Sequence, residues 1–167
     1  MNLEITRRQF LKVTGALVIA FGFPLDTEAQ GAPPLRTSGG PLPPDQLDSW
    51  LIIQNDGTIT VMTGKVELGT GVSTSLRQIV ADELDFPFEK INWIQGDTAN
   101  TVDQAPTFGS QTIKRGGSQL RQAAAEAKAT LLSLAATQLR APVESLQIVR
   151  GVISVGDDAK KKVTYAD

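Results

Sequence analysis

From Trp50 onward the chain alternates between short apolar runs of strand character and longer runs of helical period. Residues 50–54 and 58–63 are rich in β-branched and aromatic side chains, and Asn55-Asp56-Gly57 between them predicts a hairpin. Residues 71–84 place Val72, Leu76, Ile79, Val80 and Leu84 at helical spacing, and Pro87 closes that helix. Residues 91–95 predict a strand with Trp93 on its buried face, followed by a polar loop over 96–109. From Gly117 to Arg140 the pattern predicts a long helix with an apolar stripe of Leu120, Ala124, Ala127, Leu131 and Leu134. Its alanines imply a helix laid tightly on a sheet, and Pro142 marks its end. Residues 146–149 and 152–155 read as a second hairpin around Arg150-Gly151. Two strand–loop–helix passes of this kind predict an α+β fold: a mixed sheet of roughly five to seven strands with two helices packed on one face.

The first 48 residues have a different character. In residues 1–25, Thr6-Arg7-Arg8-Gln9-Phe10-Leu11-Lys12 precedes an apolar run over 13–23, an order that resembles a twin-arginine export signal. The run is too short for a comfortable membrane span. Residues 26–48 contain Pro33, Pro34, Pro41, Pro43 and Pro44 with Gly31, Gly39 and Gly40, which predicts an extended linker. Residues 49–167 are then the folded part. The chain stops inside what reads as an unfinished element.

Composition removes several chemistries. There is no Cys and no His among the 167 residues, so thiolate catalysis, Ser-His-Asp hydrolysis and imidazole-held metals have no residues to work with. A net charge of -2 offers no basic field for nucleic acid. An enzyme built on this chain leans on a cofactor.

The candidate chemistry lies in two loops. Residues 63–75 place Gly64, Gly69 and Gly71 around Lys65 and Glu67, just before the first helix, with Thr70, Ser73 and Thr74 adding hydroxyls. Glycine allows close approach to the backbone, and the first amides of a helix lack internal partners. Gly109, Ser110, Gln111 and Thr112 head the second helix in the same way, with Lys114 and Arg115 beyond them. If the helices lie side by side, both starts face one edge and suit a polar, anionic ligand such as a pterin phosphate or a dinucleotide. The first loop also reads as a tight turn with a helix cap, and the second as an ordinary helix cap.

The succession Gly64-Lys65-Val66-Glu67-Leu68-Gly69-Thr70-Gly71-Val72-Ser73-Thr74, Ile79-Val80-Ala81-Asp82-Glu83-Leu84, Gly96-Asp97-Thr98 and Pro106-Thr107-Phe108-Gly109-Ser110 resembles the molybdopterin-binding subunit of the xanthine dehydrogenase / aldehyde oxidase family. The nearer resemblance is to its exported branch, which includes isoquinoline 1-oxidoreductase, and it covers residues 50–165. It implies a molybdenum–molybdopterin cofactor, carried as a cytosine dinucleotide, with the metal held by the pterin dithiolene. It implies hydroxylation of small heteroaromatic or aldehyde substrates with water as oxygen source. Electrons then leave through a small 2Fe-2S partner subunit to a membrane cytochrome c, and the complex is periplasmic.

By the same resemblance Gly69, Thr70 and Gly71 form a turn that meets the pterin, and Gly109, Ser110, Gln111 and Thr112 form a loop that binds the cofactor beside the metal. The family commonly has Gln where this chain has Thr70, whose single hydroxyl offers less than an amide. The family's subunit is several times longer, so the resemblance implies that this chain is its opening segment; the catalytic glutamate then falls outside it, and Glu67 and Glu83 read as structural. The rival expectation is a non-catalytic exported module of the same fold that binds a partner protein.

Overall fold

The computed structural model describes the backbone of Ala16 and Leu17, residues 47–156, residue 158 and residues 160–167. The twin-arginine stretch and nearly all of the linker lie outside the described residues. In chain order the elements are β1 (Ala16–Leu17), β2 (Leu51–Gln54), β3 (Ile59–Thr63), α1 (Val72–Leu84), β4 (Ile91–Gln95), a π-helical turn (Thr112–Gly117), α2 (Ser118–Leu139), β5 (Leu146–Val149), β6 (Val152–Val155) and β7 (Lys162–Thr164).

The β2–β3 hairpin forms as its turn residues predict. Asp56 accepts from both the amide and the hydroxyl of Thr58 (2.9 and 2.7 Å), and Gly57 takes the positive φ of 76° that closes the turn. β3 and β4 then pair in parallel, Ile59 opposite Ile91 through Thr63 opposite Gln95, with α1 as the crossover between them. The first sheet has the order β1-β2-β3-β4, with antiparallel and parallel pairs in one mixed ladder. Its β1 residues come from the stretch that reads as export signal: Ala16 pairs with Gln54 and Leu17 with Ile53.

The α+β class holds, but the strands divide into two sheets. β5, β6 and β7 make a separate antiparallel sheet. The second sheet is tied to the C-terminus of α1 instead of to a strand edge. The Gly151 amide donates to the Asp85 carbonyl (2.7 Å), and the Tyr165 hydroxyl donates to the Leu84 carbonyl. The Tyr165 ring stacks on Phe86, with centroids 5.7 Å apart.

One apolar cluster serves both sheets. Ile59, Val61 and Ile91 from the first, Leu76, Val80 and Leu84 from α1, Leu120, Ala124, Ala127 and Leu131 from α2, and Ile153 and Val163 from the second all belong to it. The α2 stripe ends differently from its sequence reading. Leu134 is 45% exposed, and Ala135, at 3%, takes the inner position. With 3.6 residues per turn, the step after Leu131 that stays on the buried face is four residues, not three.

Candidate functional site

The two helices run parallel. A Cβ on Gly117 would lie 2.9 Å from Ile79 and 3.5 Å from Leu76, so the start of α2 presses against the second turn of α1. Further along, Arg121 pairs with Glu83 (2.8 Å), and the Lys128 ammonium reaches the Glu83 carbonyl (2.9 Å). Register advances the same way on both helices, which puts both N-termini at one end of the molecule.

At that end the loops are stitched together. The Val66 amide donates to the Thr107 hydroxyl (3.0 Å), and the Lys65 ammonium donates to the carbonyls of Ala105 and Pro106 (both 3.0 Å). The Gln104 side-chain oxygen accepts from the Thr63 hydroxyl (2.6 Å) and the Gly64 amide (2.8 Å). Its amide nitrogen donates to Gln119 on α2 (2.9 Å). Gly64 is required here because a Cβ would stand 2.2 Å from the Val102 carbonyl oxygen. The stretch between β4 and the π-helical turn is therefore only partly a surface loop: Thr101, Val102 and Gln104 are buried.

Of the residues singled out from sequence, Gly69, Thr70 and Gly71 are exposed, and Gly69 and Gly71 have φ of 84° and 76°. No atom lies within 4 Å of where a Cβ on either glycine would stand, so the backbone is open to approach. Gly109 and Ser110 are exposed at φ of 59° and 56°, Gln111 is half-buried and Thr112 is buried. Among the described residues, the side chains of Thr74, Ser110 and Gln111 have no hydrogen-bond partner. Leu68 and Phe108, each just before one of these turns, are 64% and 66% exposed.

The expectation of free amides at the first helix start needs correction. The Glu67 carboxylate already occupies them, accepting from the amides of Thr70, Gly71 (2.9 Å) and Ser73 (3.0 Å). The physical reason is the N-cap. Gly71 has no side chain to cap α1, so a carboxylate from four residues earlier folds back over the helix start. The Ser73 amide, with those of Gly71, Thr70 and Gly69, holds the Glu67 carboxyl down at about 2. The Ser73 hydroxyl is also spent, donating to Gln95 on β4 (2.6 Å).

Asp97 turns inward on its own loop in the same manner, accepting from the Ala99 amide (2.8 Å) and the Asn100 side chain (3.0 Å). The Asn100 side chain and the Ala99 amide hold its carboxyl below the usual aspartate range. Burial pushes the Lys65 ammonium below the usual lysine range; nearby Arg115 adds to that and Asp103 opposes it.

The donor set fits a polar cofactor, with its emphasis shifted. Open glycine backbone at 69 and 71, and the unpartnered side chains of Thr74, Ser110 and Gln111, can meet a ligand rich in acceptors and donors. The amides of Thr70, Gly71 and Ser73 can do so only if Glu67 moves. Sequence reading missed the hub of Thr63, Lys65 and Gln104. One signal was present: a lysine two residues beyond an apolar strand is costly to bury unless it binds something.

Residues 14–167 match the family described as molybdopterin cofactor-binding domain. The chain is 35% identical over 150 residues to a nicotinate dehydrogenase component of Pseudomonas putida, covering 89% of this chain and 12% of that protein. It is 27% identical over 173 residues to the beta chain of isoquinoline 1-oxidoreductase from Brevundimonas diminuta, covering 99% and 22%. Among solved structures, CO dehydrogenase from Oligotropha carboxidovorans superposes with a TM-score of 0.62 at 26% identity, over 70% of this chain and 14% of that one. Quinoline 2-oxidoreductase from Pseudomonas putida 86 gives 0.59 at 28%, over 70% and 15%. The chain thus spans between 12% and 22% of the length of these curated relatives.

Proposed function

Since this chain belongs to the molybdopterin cofactor-binding domain family, we propose that it forms one wall of the cofactor site in an oxidoreductase of the xanthine dehydrogenase family. The observation that carries the reading is the joined pair of loops. Residues 64–71 and 104–112 are bonded to each other at the shared end of two parallel helices; the first presents open glycine backbone at 69 and 71, and the second the unpartnered side chains of Ser110 and Gln111.

In this reading Gly69, Thr70 and Gly71 let one side of the pterin approach the backbone closely. Ser110 and Gln111 supply the hydroxyl and amide that orient it, and Thr112 fixes the base of that loop. When bound, molybdenum–molybdopterin supplies the two-electron redox chemistry by which such enzymes place a water-derived oxygen on carbon. The chain's own part is to bind and orient; of the glutamates singled out from sequence, Glu67 is already engaged with amides at this end and Glu83 with Arg121 at the far end of α1.

The substrate is a small heteroaromatic ring or an aldehyde; the nicotinate and isoquinoline in its relatives' names support the first. The cofactor is the cytosine dinucleotide form. A separate 2Fe-2S subunit takes the electrons and passes them to a membrane cytochrome c, and residues 1–25 direct export to the periplasm by the twin-arginine route. The test is metal and pterin analysis of the complex purified from the periplasmic fraction of its native host. We expect molybdenum and a pterin in near-equal amounts with this chain; finding neither would overturn the reading.

A further inference from the structure

Lys65 stands apart from every other cation in the described chain. It is 3% exposed, while the remaining lysines and arginines among the described residues are exposed or half-exposed. It makes no ion pair within hydrogen-bond reach, and its ammonium is spent on two backbone carbonyls forty residues away. Those carbonyls belong to Ala105 and Pro106. Ala105 has φ of 61°, a left-handed conformation in a residue with a Cβ. It also precedes proline, which further restricts its backbone. A conformation disfavoured twice persists only where its surroundings hold it. Two groups do so: Asp103 accepts from the Ala105 amide (2.8 Å), and Lys65 grips the carbonyl. Gln104, one residue earlier, is fixed on three sides by Thr63, Gly64 and Gln119. The packing around Lys65 has been cleared for it, since a Cβ on Gly116 would come within 3.0 Å of the Lys65 Cγ.

We propose that Lys65 and Gln104 are positioning residues for the cofactor: they hold the strained Ala105-Pro106 corner against β3 and so set the gap between the turn at 69–71 and the loop at 109–112. The proposal rests on the reading that these two turns face molybdopterin. Its structural half, that Lys65 holds the corner, stands by itself. Neither residue reaches the open rim, so each acts through the backbone it anchors.

The experiment uses the complete complex and compares wild type with Lys65→Met, which keeps the length of the stem and removes the donors. Two readouts are taken: amide hydrogen exchange across residues 105–112, and molybdenum and pterin retained per chain. We expect exchange there to accelerate at least ten-fold and retained cofactor to fall at least ten-fold. Exchange in α1 and β3 and the thermal midpoint should stay close to wild type, which a merely structural lysine would not allow. If exchange over 105–112 is unchanged, the proposal is overturned. If exchange rises but cofactor retention matches wild type, Lys65 holds the corner without setting the gap, and the proposal is again overturned while the functional reading survives. If wild type itself carries no molybdopterin, the functional reading fails and takes the cofactor half with it. Should Lys65→Met not fold, Gln119→Ala decides. Gln119 is exposed, its loss releases Gln104 from α2, and both readouts should move about three-fold in the same directions; no movement counts against the proposal.

Discussion

At the scale of single residues, Glu67 shows how a missing side chain at one position is answered by a present one at another. Gly71 begins α1 at a positive φ with no side chain to cap it, and Glu67 returns to accept from the amides of Thr70, Gly71 and Ser73. Its carboxyl, held at about 2, lies below the ordinary value of 4.5. A depressed folded-state value means that the stabilisation is complete above the unfolded value and drains away as pH falls from 4.5 towards about 2. Thermal melts across that range should therefore show Glu67→Gln less stable than wild type at neutral pH, with the two converging as pH approaches 2. Parallel curves would mean that the carboxylate is not what caps the helix. The sequence showed glycines, hydroxyls and a charged pair in this loop. It could not show that the lysine turns away from the carboxylate, because its partners are the distant carbonyls of Ala105 and Pro106.

At the scale of elements, the first hairpin, α1, β4 and the second hairpin all fall where apolar period and turn residues put them. Such local signals survive folding because they are set by neighbours in the chain. The tail of the α2 stripe does not follow the sequence reading, since a run with leucine at 131, 132 and 134 and alanine at 135 and 136 leaves the buried phase ambiguous. Packing resolved it by taking the small residue inward at position 135. This assigns opposite costs to neighbouring leucines. Leu131→Ala should lose about 2–5 kcal/mol in urea unfolding, and Leu134→Lys should stay within about 0.5 kcal/mol of wild type. Equal costs would show the stripe to be misassigned. The π-helical turn at Thr112–Gly117 was also out of reach from sequence. Its wider winding is where Gly116 and Gly117 let Lys65 and Ile79 come close, a contact between segments far apart along the chain.

At the scale of the whole molecule, one expected sheet became two because the last strands attach to a helix terminus. Tyr165 is the rivet: 5% exposed, stacked on Phe86, and bonded to the carbonyl of Leu84 at the end of α1. Burial, with Asp85 adding to it, pushes the phenol above its usual range, so the hydroxyl stays a donor. Tyr165→Phe should cost about 1–3 kcal/mol by leaving that carbonyl unpaired, read in denaturant unfolding followed at Trp93. No loss would mean that the carbonyl finds water in its place. The parallel setting of α1 and α2 has an electrical consequence of its own. Each helix carries a partial positive charge at its start, and antiparallel neighbours would cancel at a distance where these two add. Glu67 discharges the first. Neither helix has an acidic residue in its first turn, so the second keeps its share and is joined by Lys114 and Arg115. The first helix start is therefore answered by Glu67, while the second has Lys114 and Arg115 beside it and Asp103 nearby in the facing loop.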